Sequence, residues 1–202
     1  TILLRKHGLI SKSTSKRYCR VAIPFTRLFC LVLVSIDYSM NTIDKVKQWF
    51  IDRDLENGGR LDKQSLKLSE EFGELCAGYL KKNEQLTKDS IGDCAVVIVG
   101  LALLIKVDVQ EVFEGFTEEF EQDTSDYLKD LNGCIGCFQM CYDWEGKPTC
   151  KNLLSSSVNW LKIISKSLGY DFEECFELAY QEIKDRKGRW IDGSFVKEED
   201  LG

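Results

Sequence analysis

The feature that most constrains this chain is where proline is missing. Its 202 residues contain 2 prolines, Pro24 and Pro148. The stretch between them lacks the residue that breaks helices most reliably, by removing a donor and clashing with the preceding turn. Apolar residues recur there at helical spacing and do not alternate. The expected fold class is all-α, a helical bundle. With 44% hydrophobic and 30% charged residues, the composition is that of a globular protein able to bury a core, and disordered or low-complexity classes are excluded.

Individual helices can be placed. Val46, Trp49 and Phe50, then Leu55, mark a first helix opening near Ile43 after Asn41 or Thr42 as cap and closed by Asn57-Gly58-Gly59. Leu68, Phe72, Leu75 and Tyr79 form one stripe of a second helix. A third is expected after Thr87 as N-cap. Its run from Cys94 to Ile105 is apolar all round and too short to cross a bilayer, as expected of a helix buried in protein. A fourth helix is expected from about Val109 to Leu131, two more near 152–167 and 171–186, and a small hairpin at Asp192-Gly193. Residues 96–121 and 158–183 share an apolar helix, an Asp and an amphipathic helix. Either a degenerate internal repeat or two helices that each bury one face accounts for this.

Four segments follow. Residues 1–39 form a basic and apolar N-terminal extension, expected to lie outside the fold. There Arg5, Lys6, Lys12, Lys16, Arg17, Arg20 and Arg27 face a single acid, Asp37. A basic stretch ahead of an apolar run has the order of a signal-like segment, but Pro24 and Arg27 interrupt it, and Met40 begins a cappable helix, so the natural start is expected at Met40. Residues 40–131 are the helical core with an acidic site, 132–151 a Cys- and Gly-containing connector, and 152–202 a C-terminal helical pair with a basic tail.

Charge narrows the chemistry. A net charge of −6 and a pI near 5.0 argue against stable nucleic-acid binding, which depends on releasing phosphate counterions. The one histidine is His7, so zinc sites built on His pairs and Ser-His-Asp triads have no material in the main body. Nine cysteines are an odd number without disulfide-scaffold spacing, which fits a reducing cytoplasm. Cys134, Cys137, Cys141 and Cys150 offer either a four-thiolate zinc site or buried thiols on a helix face, and the single C-x2-C pair favours the latter.

The acids are more informative. Glu71 and Glu74 are three residues apart on one helix; Asp89 and Asp93 are four apart on the next. If the two helices pack antiparallel through the connection near Lys81 to Leu86, the four carboxylates converge. Their mutual repulsion beside a core is relieved by a hard divalent cation such as magnesium, which prefers oxygen ligands. The alternative is that these acids decorate two solvated helix faces.

The segment Glu71-Phe72-Gly73-Glu74, with Asp93 on the following helix, resembles the E-x-x-E and E-x-x-D signature of the MazG-like, all-α nucleoside triphosphate pyrophosphohydrolases. Ser90 stands where that family usually has its third acid, and Asp89 is the nearest replacement. The stretch from Ala179 to Gly188, continuing through Gly193-Ser194-Phe195-Val196-Lys197-Glu198, is similar to the tail of MazG-like proteins of phages and their hosts, with Gln181 where an Asn is common. The resemblance spans roughly 40–105 and 170–201 and leaves the Cys-bearing middle unexplained.

The resemblance implies hydrolysis of a nucleoside triphosphate to the monophosphate and pyrophosphate. It implies Mg2+ (or Mn2+) held by Glu71, Glu74 and Asp93 with Asp89 assisting, and Glu71 or Glu70 as the base for water. Lys81, Lys184, Arg186 and Lys187 are candidates to hold phosphates. It also implies a homodimer or homotetramer, cytoplasmic and without a membrane anchor. Two rival expectations are a catalytically weakened helical module that binds nucleotides or a protein, which the Ser90 departure favours, and a structural adaptor whose acids face solvent.

Overall fold

The computed structural model describes residues 40–114, 122–143 and 146–201. The start-site and charge readings for 1–39 lie outside them, as does part of the first repeat copy, 115–121. Among the described residues the chain forms eight α-helices followed by one two-stranded hairpin, in agreement with the all-α expectation.

Helix α1 (Thr42–Asp52) opens on Asn41, whose side chain accepts the Asp44 N–H, and buries Val46, Trp49 and Phe50. The single helix expected through Leu55 is in fact two. Asp54 turns left-handed at φ 54°, and Leu55–Gly58 winds a separate short α2. Helix α3 (Leu61–Lys81) ends where Lys82 also turns left-handed. Asn83, not Thr87, caps α4 (Glu84–Leu104): its side chain accepts the Leu86 N–H, while the Thr87 hydroxyl donates back to the Asn83 carbonyl inside the first turn. The two-residue link makes α3 and α4 an antiparallel hairpin.

Helix α4 is the centre of the fold, buried from Ile91 to Ala102 except at Asp93. It packs against α3, against α1 and against the helices Lys147–Ser167 and Phe172–Ile183. Asp108 caps a short α5 (Val109–Phe113). Helix α6 (Thr124–Cys141) corrects two expectations: no single helix runs from 109 to 131, and the presumed connector is helical through Gly133 and Gly136. Isolated glycines lower helix propensity without ending a helix whose other face is buried, here by Tyr127, Leu128, Leu131, Ile135 and Phe138. Pro148 then lies in the first turn of α7 (Lys147–Ser167), where its missing N–H costs nothing. Helix α8 (Phe172–Ile183) starts from Asp171, whose carboxylate accepts the Glu174 N–H. Of the repeat pattern, the described residues include the apolar parts of α4 and α7, the Asp caps before α5 and α8, and the pair Phe113 and Phe176, stacked at 5.5 Å.

The chain finishes in strands β1 (Gly188–Ile191) and β2 (Ser194–Lys197), paired antiparallel with Trp190 opposite Phe195. Asp192 and Gly193 both have positive φ, 50° and 86°, the backbone of a two-residue primed turn and the reason Asp-Gly marks it. A 3-10 turn, Glu198–Asp200, follows.

The cysteines of α6 share one helix, as the thiol-face reading expects, but Cys137 is exposed and Cys134 and Cys141 are half-buried, while Cys150 on α7 is buried. No described helix is long and apolar enough to cross a membrane.

Candidate functional site

Three features bring the site together. Gly92 on α4 lies so close to α8 that a Cβ there would meet the Cys175 carbonyl oxygen and, at 2.7 Å, the Ala179 methyl. Glycine thus lets α8 cross directly beside Asp93 and delivers its C-terminal end, with Arg186, to that level of the bundle. Trp49 of α1 donates its indole N–H to the Ile183 carbonyl at 2.7 Å, and Arg53 donates to the Arg186 carbonyl at 2.8 Å while its guanidinium stacks 4.2 Å from the Trp49 ring. The hairpin is held by Arg60 N–H donating to the Gly193 carbonyl and by the Trp190 indole donating to the Arg53 carbonyl at 2.6 Å.

These contacts enclose a hollow of about 530 Å³. Lys63, Gln64, Lys67, Glu70 and Glu71 of α3 line one side and Asp93, Val96 and Val97 of α4 the floor. Trp49, Arg186, Trp190, Phe195 and Lys197 complete the wall. A more polar hollow adjoins it, lined by Glu182, Asp185, Lys187 and Glu198 and sharing Arg186 and Lys197.

Of the residues singled out in the sequence, Glu70, Glu71, Asp93 and Arg186 meet in the first hollow and Lys187 lines the second. The others line neither. Glu74 is exposed on the neighbouring turn of α3. Asp89 accepts a hydrogen bond from Gln85 at 2.8 Å on an exposed surface. Lys81 is exposed at the end of α3, and Lys184 donates to Gln181 at 2.6 Å in solvent. Ser90 is buried and its hydroxyl donates to the Leu86 carbonyl at 2.7 Å. Convergence of all four carboxylates is therefore replaced by convergence of Glu71 with Asp93.

Lys63, Gln64 and Lys67 are lining residues that the sequence reading passes over, and Lys197 appears in it only within the tail resemblance, without a role at the site. For Lys67 a signal exists in its i, i+3 and i, i+4 spacing to Glu70 and Glu71. Lys197 reaches the site through hairpin docking, for which the local sequence carries no signal.

The electrostatics are uneven. Burial, then the charges of Glu71 and Glu182, push the Asp93 carboxyl up to about 7, against Arg186 and Lys67, which pull it down. Among the described residues no hydrogen bond or ion pair reaches that carboxylate. Glu71, 6% exposed, is also raised, by burial and then by Glu74 and Glu70, despite the Lys67 ammonium 2.6 Å from its Oε1. Lys67 is shifted the same way: burial lowers it, but hydrogen bonds to Glu71 and Glu70 outweigh that and hold it charged.

A half-neutralised pair, Glu71 buried and Asp93 half-buried, fits an oxygen-ligated divalent cation by the chemistry of its donors. The fit is confined to Glu71 and Asp93. Among the described residues no three His, Cys, Asp or Glu side chains already stand in a ligating cluster, so any further oxygens would come from water or substrate.

Among curated proteins, the chain is 48% identical over 66 residues to an uncharacterized 18.2 kDa protein of the rep-hol intergenic region of Haemophilus phage HP1 (strain HP1c1). The match covers 33% of this chain and 40% of that protein. No protein-family model and no solved structure matches the chain.

Proposed function

We propose that the chain hydrolyses a nucleoside triphosphate to the nucleoside monophosphate and pyrophosphate in a Mg2+-dependent reaction. The observation that carries this reading is the meeting of Glu71 and Asp93 in one hollow with Lys63, Arg186 and Lys197 around them and Trp49, Trp190 and Phe195 on its wall. Carboxylates for a cation, cations for phosphates and an aromatic wall for a base are the three things such a substrate requires. The Glu71-x-x-Glu74 and Asp93 resemblance to MazG-like enzymes supports it.

Glu71 and Asp93 are the residues to hold magnesium, which when bound would neutralise phosphate charge and make water more acidic. Glu71 or, where Glu71 is taken up by the ion, Glu70 at the rim is the candidate base that orients water at the α-phosphorus and accepts its proton as the bond to the β-phosphate oxygen breaks. Arg186 offers a two-pronged donor to the departing pyrophosphate, and Lys187 sits one hollow further out. A cytoplasmic setting and assembly into dimers or tetramers belong to the same proposal.

The test is a panel of ribo- and deoxyribonucleoside triphosphates with magnesium or manganese, scored for pyrophosphate. Release of pyrophosphate and not orthophosphate is the expected result; silence across the panel removes the proposal.

A second reading, a nucleotide-binding module without turnover, is favoured by one observation. Asp89, the nearest replacement for the acid missing at Ser90, accepts from Gln85 on the surface, and Glu74 is exposed, so two fewer acids reach the hollow than the resemblance implies. Nucleotide binding with no product would select it.

A further inference from the structure

Lys67 occupies the place where a cation is needed. Its ammonium is 2.6 Å from Glu71 and 3.0 Å from Glu70, and it lines the hollow that contains Asp93. The partners differ in freedom. Glu71 is more than nine-tenths buried on the inner face of α3, whereas the Lys67 side chain is 44% exposed and hangs from a flexible four-carbon stem. If the pair separates, Lys67 is the member that moves. The hollow has further unused capacity for a ligand: Gln64, also 6% exposed, lines it, and its amide oxygen accepts no hydrogen bond among the described residues.

One ammonium compensates one carboxylate. It sits between Glu71 and Glu70 and, among the described residues, leaves Asp93 without a contact partner, whereas a divalent ion would serve Glu71 and Asp93 together. A substrate carrying a phosphate chain then needs positive charge at the same level of the helix.

We propose that Lys67 is a resident substitute for the divalent ion: it neutralises Glu71 while no metal is bound, is displaced from that carboxylate when the metal arrives, and then pairs with the phosphate chain of the substrate. This rests on the pyrophosphohydrolase reading of the site and adds an exchange of cations to it. Lys67 is thus both a competitor of the metal and a ligand of the phosphates, and these roles have opposite signs on removal of its charge.

The experiment uses the whole chain with Lys67→Met and Lys67→Arg, circular dichroism confirming that each variant keeps its helices. Mn2+ binding is followed by electron paramagnetic resonance, and magnesium pyrophosphate binding by calorimetry. Lys67→Met is expected to bind Mn2+ about three- to tenfold more tightly, since a cation competing at 2.6 Å is gone. The same variant is expected to bind magnesium pyrophosphate about tenfold more weakly, and Lys67→Arg is expected to stay near the parent in both. A lysine that only braces α3 would not separate the two affinities in opposite directions. If the parent binds Mn2+ and Lys67→Met binds it equally or less well, or if pyrophosphate affinity is unchanged, the exchange is overturned while the metal site stands. If the parent binds no Mn2+, the metal reading of the hollow falls and takes the exchange with it.

Discussion

Trp49 and Ile183 lie at opposite ends of the described chain and are joined by a 2.7 Å hydrogen bond from the indole N–H to the backbone carbonyl. The carbonyl belongs to the last residue of α8, where a helix end must find donors outside its own ladder, and it also accepts the Arg186 N–H at 2.8 Å. Through it the first helix holds the segment that carries Arg186 against the hollow.

Trp49→Phe keeps most of the bulk and removes one of the two donors to that carbonyl, the Arg186 N–H at 2.8 Å remaining. The expected cost is about 0.5–1.5 kcal/mol of unfolding free energy, measured by urea denaturation. Because Trp49 also lines the hollow, substrate affinity should fall with it.

Asp93 makes stability depend on pH in a defined direction. Its carboxyl ordinarily titrates near 3.8 and is raised to about 7 in the folded chain. The unfolded chain therefore releases this proton first. Folding is unpenalised by the group below 3.8, loses stability as pH climbs to about 7, and is level above that. The slope between those two limits is about 1.4 kcal/mol for each pH step of one. Asp93→Asn should thus gain on the parent by a few kcal/mol between about pH 4 and pH 8 in parallel melts. A bound divalent ion competes with the same proton, so added Mg2+ should raise the parent's melting temperature more at about pH 8 than at about pH 5, and not that of Asp93→Asn.

Gly92→Ala would set a methyl against the Cys175 carbonyl and the Ala179 methyl. Separating α4 from α8 is expected to cost about 1–3 kcal/mol and to lower activity by shifting Arg186. A thermal melt unchanged from the parent would contradict the close crossing.

The acids should sort by whether they line the hollow. Glu71→Gln or Asp93→Asn should reduce pyrophosphate release at least about a hundredfold, the scale of losing a charged group from a reacting centre. Glu74→Gln and Asp89→Asn should each cost about threefold or less, as expected when an exposed charge is lost. Steady-state rates on whichever triphosphate proves active make the comparison.

Much of this arrangement was legible in the residues. The stripe from Leu68 to Tyr79, the all-apolar α4 and the Asp192-Gly193 turn each express a local rule, and each appears where periodicity or turn chemistry puts it. What failed was punctuation. Gly133 and Gly136 read as a break, yet the buried stripe from Tyr127 to Phe138 carries the helix through them. The site was half legible for the same reason. Spacing places Glu71 beside Glu74 and Asp89 beside Asp93, but cannot say which of each pair faces a third element. That depends on α8 crossing at Gly92 and on the hairpin docking against Arg60, both contacts made by residues far away along the chain.

The hairpin carries one more implication. Lys197, Trp190 and Phe195 come after all eight described α-helices in chain order, yet they supply a wall of the hollow. A ribosome-bound chain that has emitted those helices still lacks that wall, so any ligand of the hollow would find it unfinished until the two strands emerge and dock, and the bundle must reach its shape without help from that ligand.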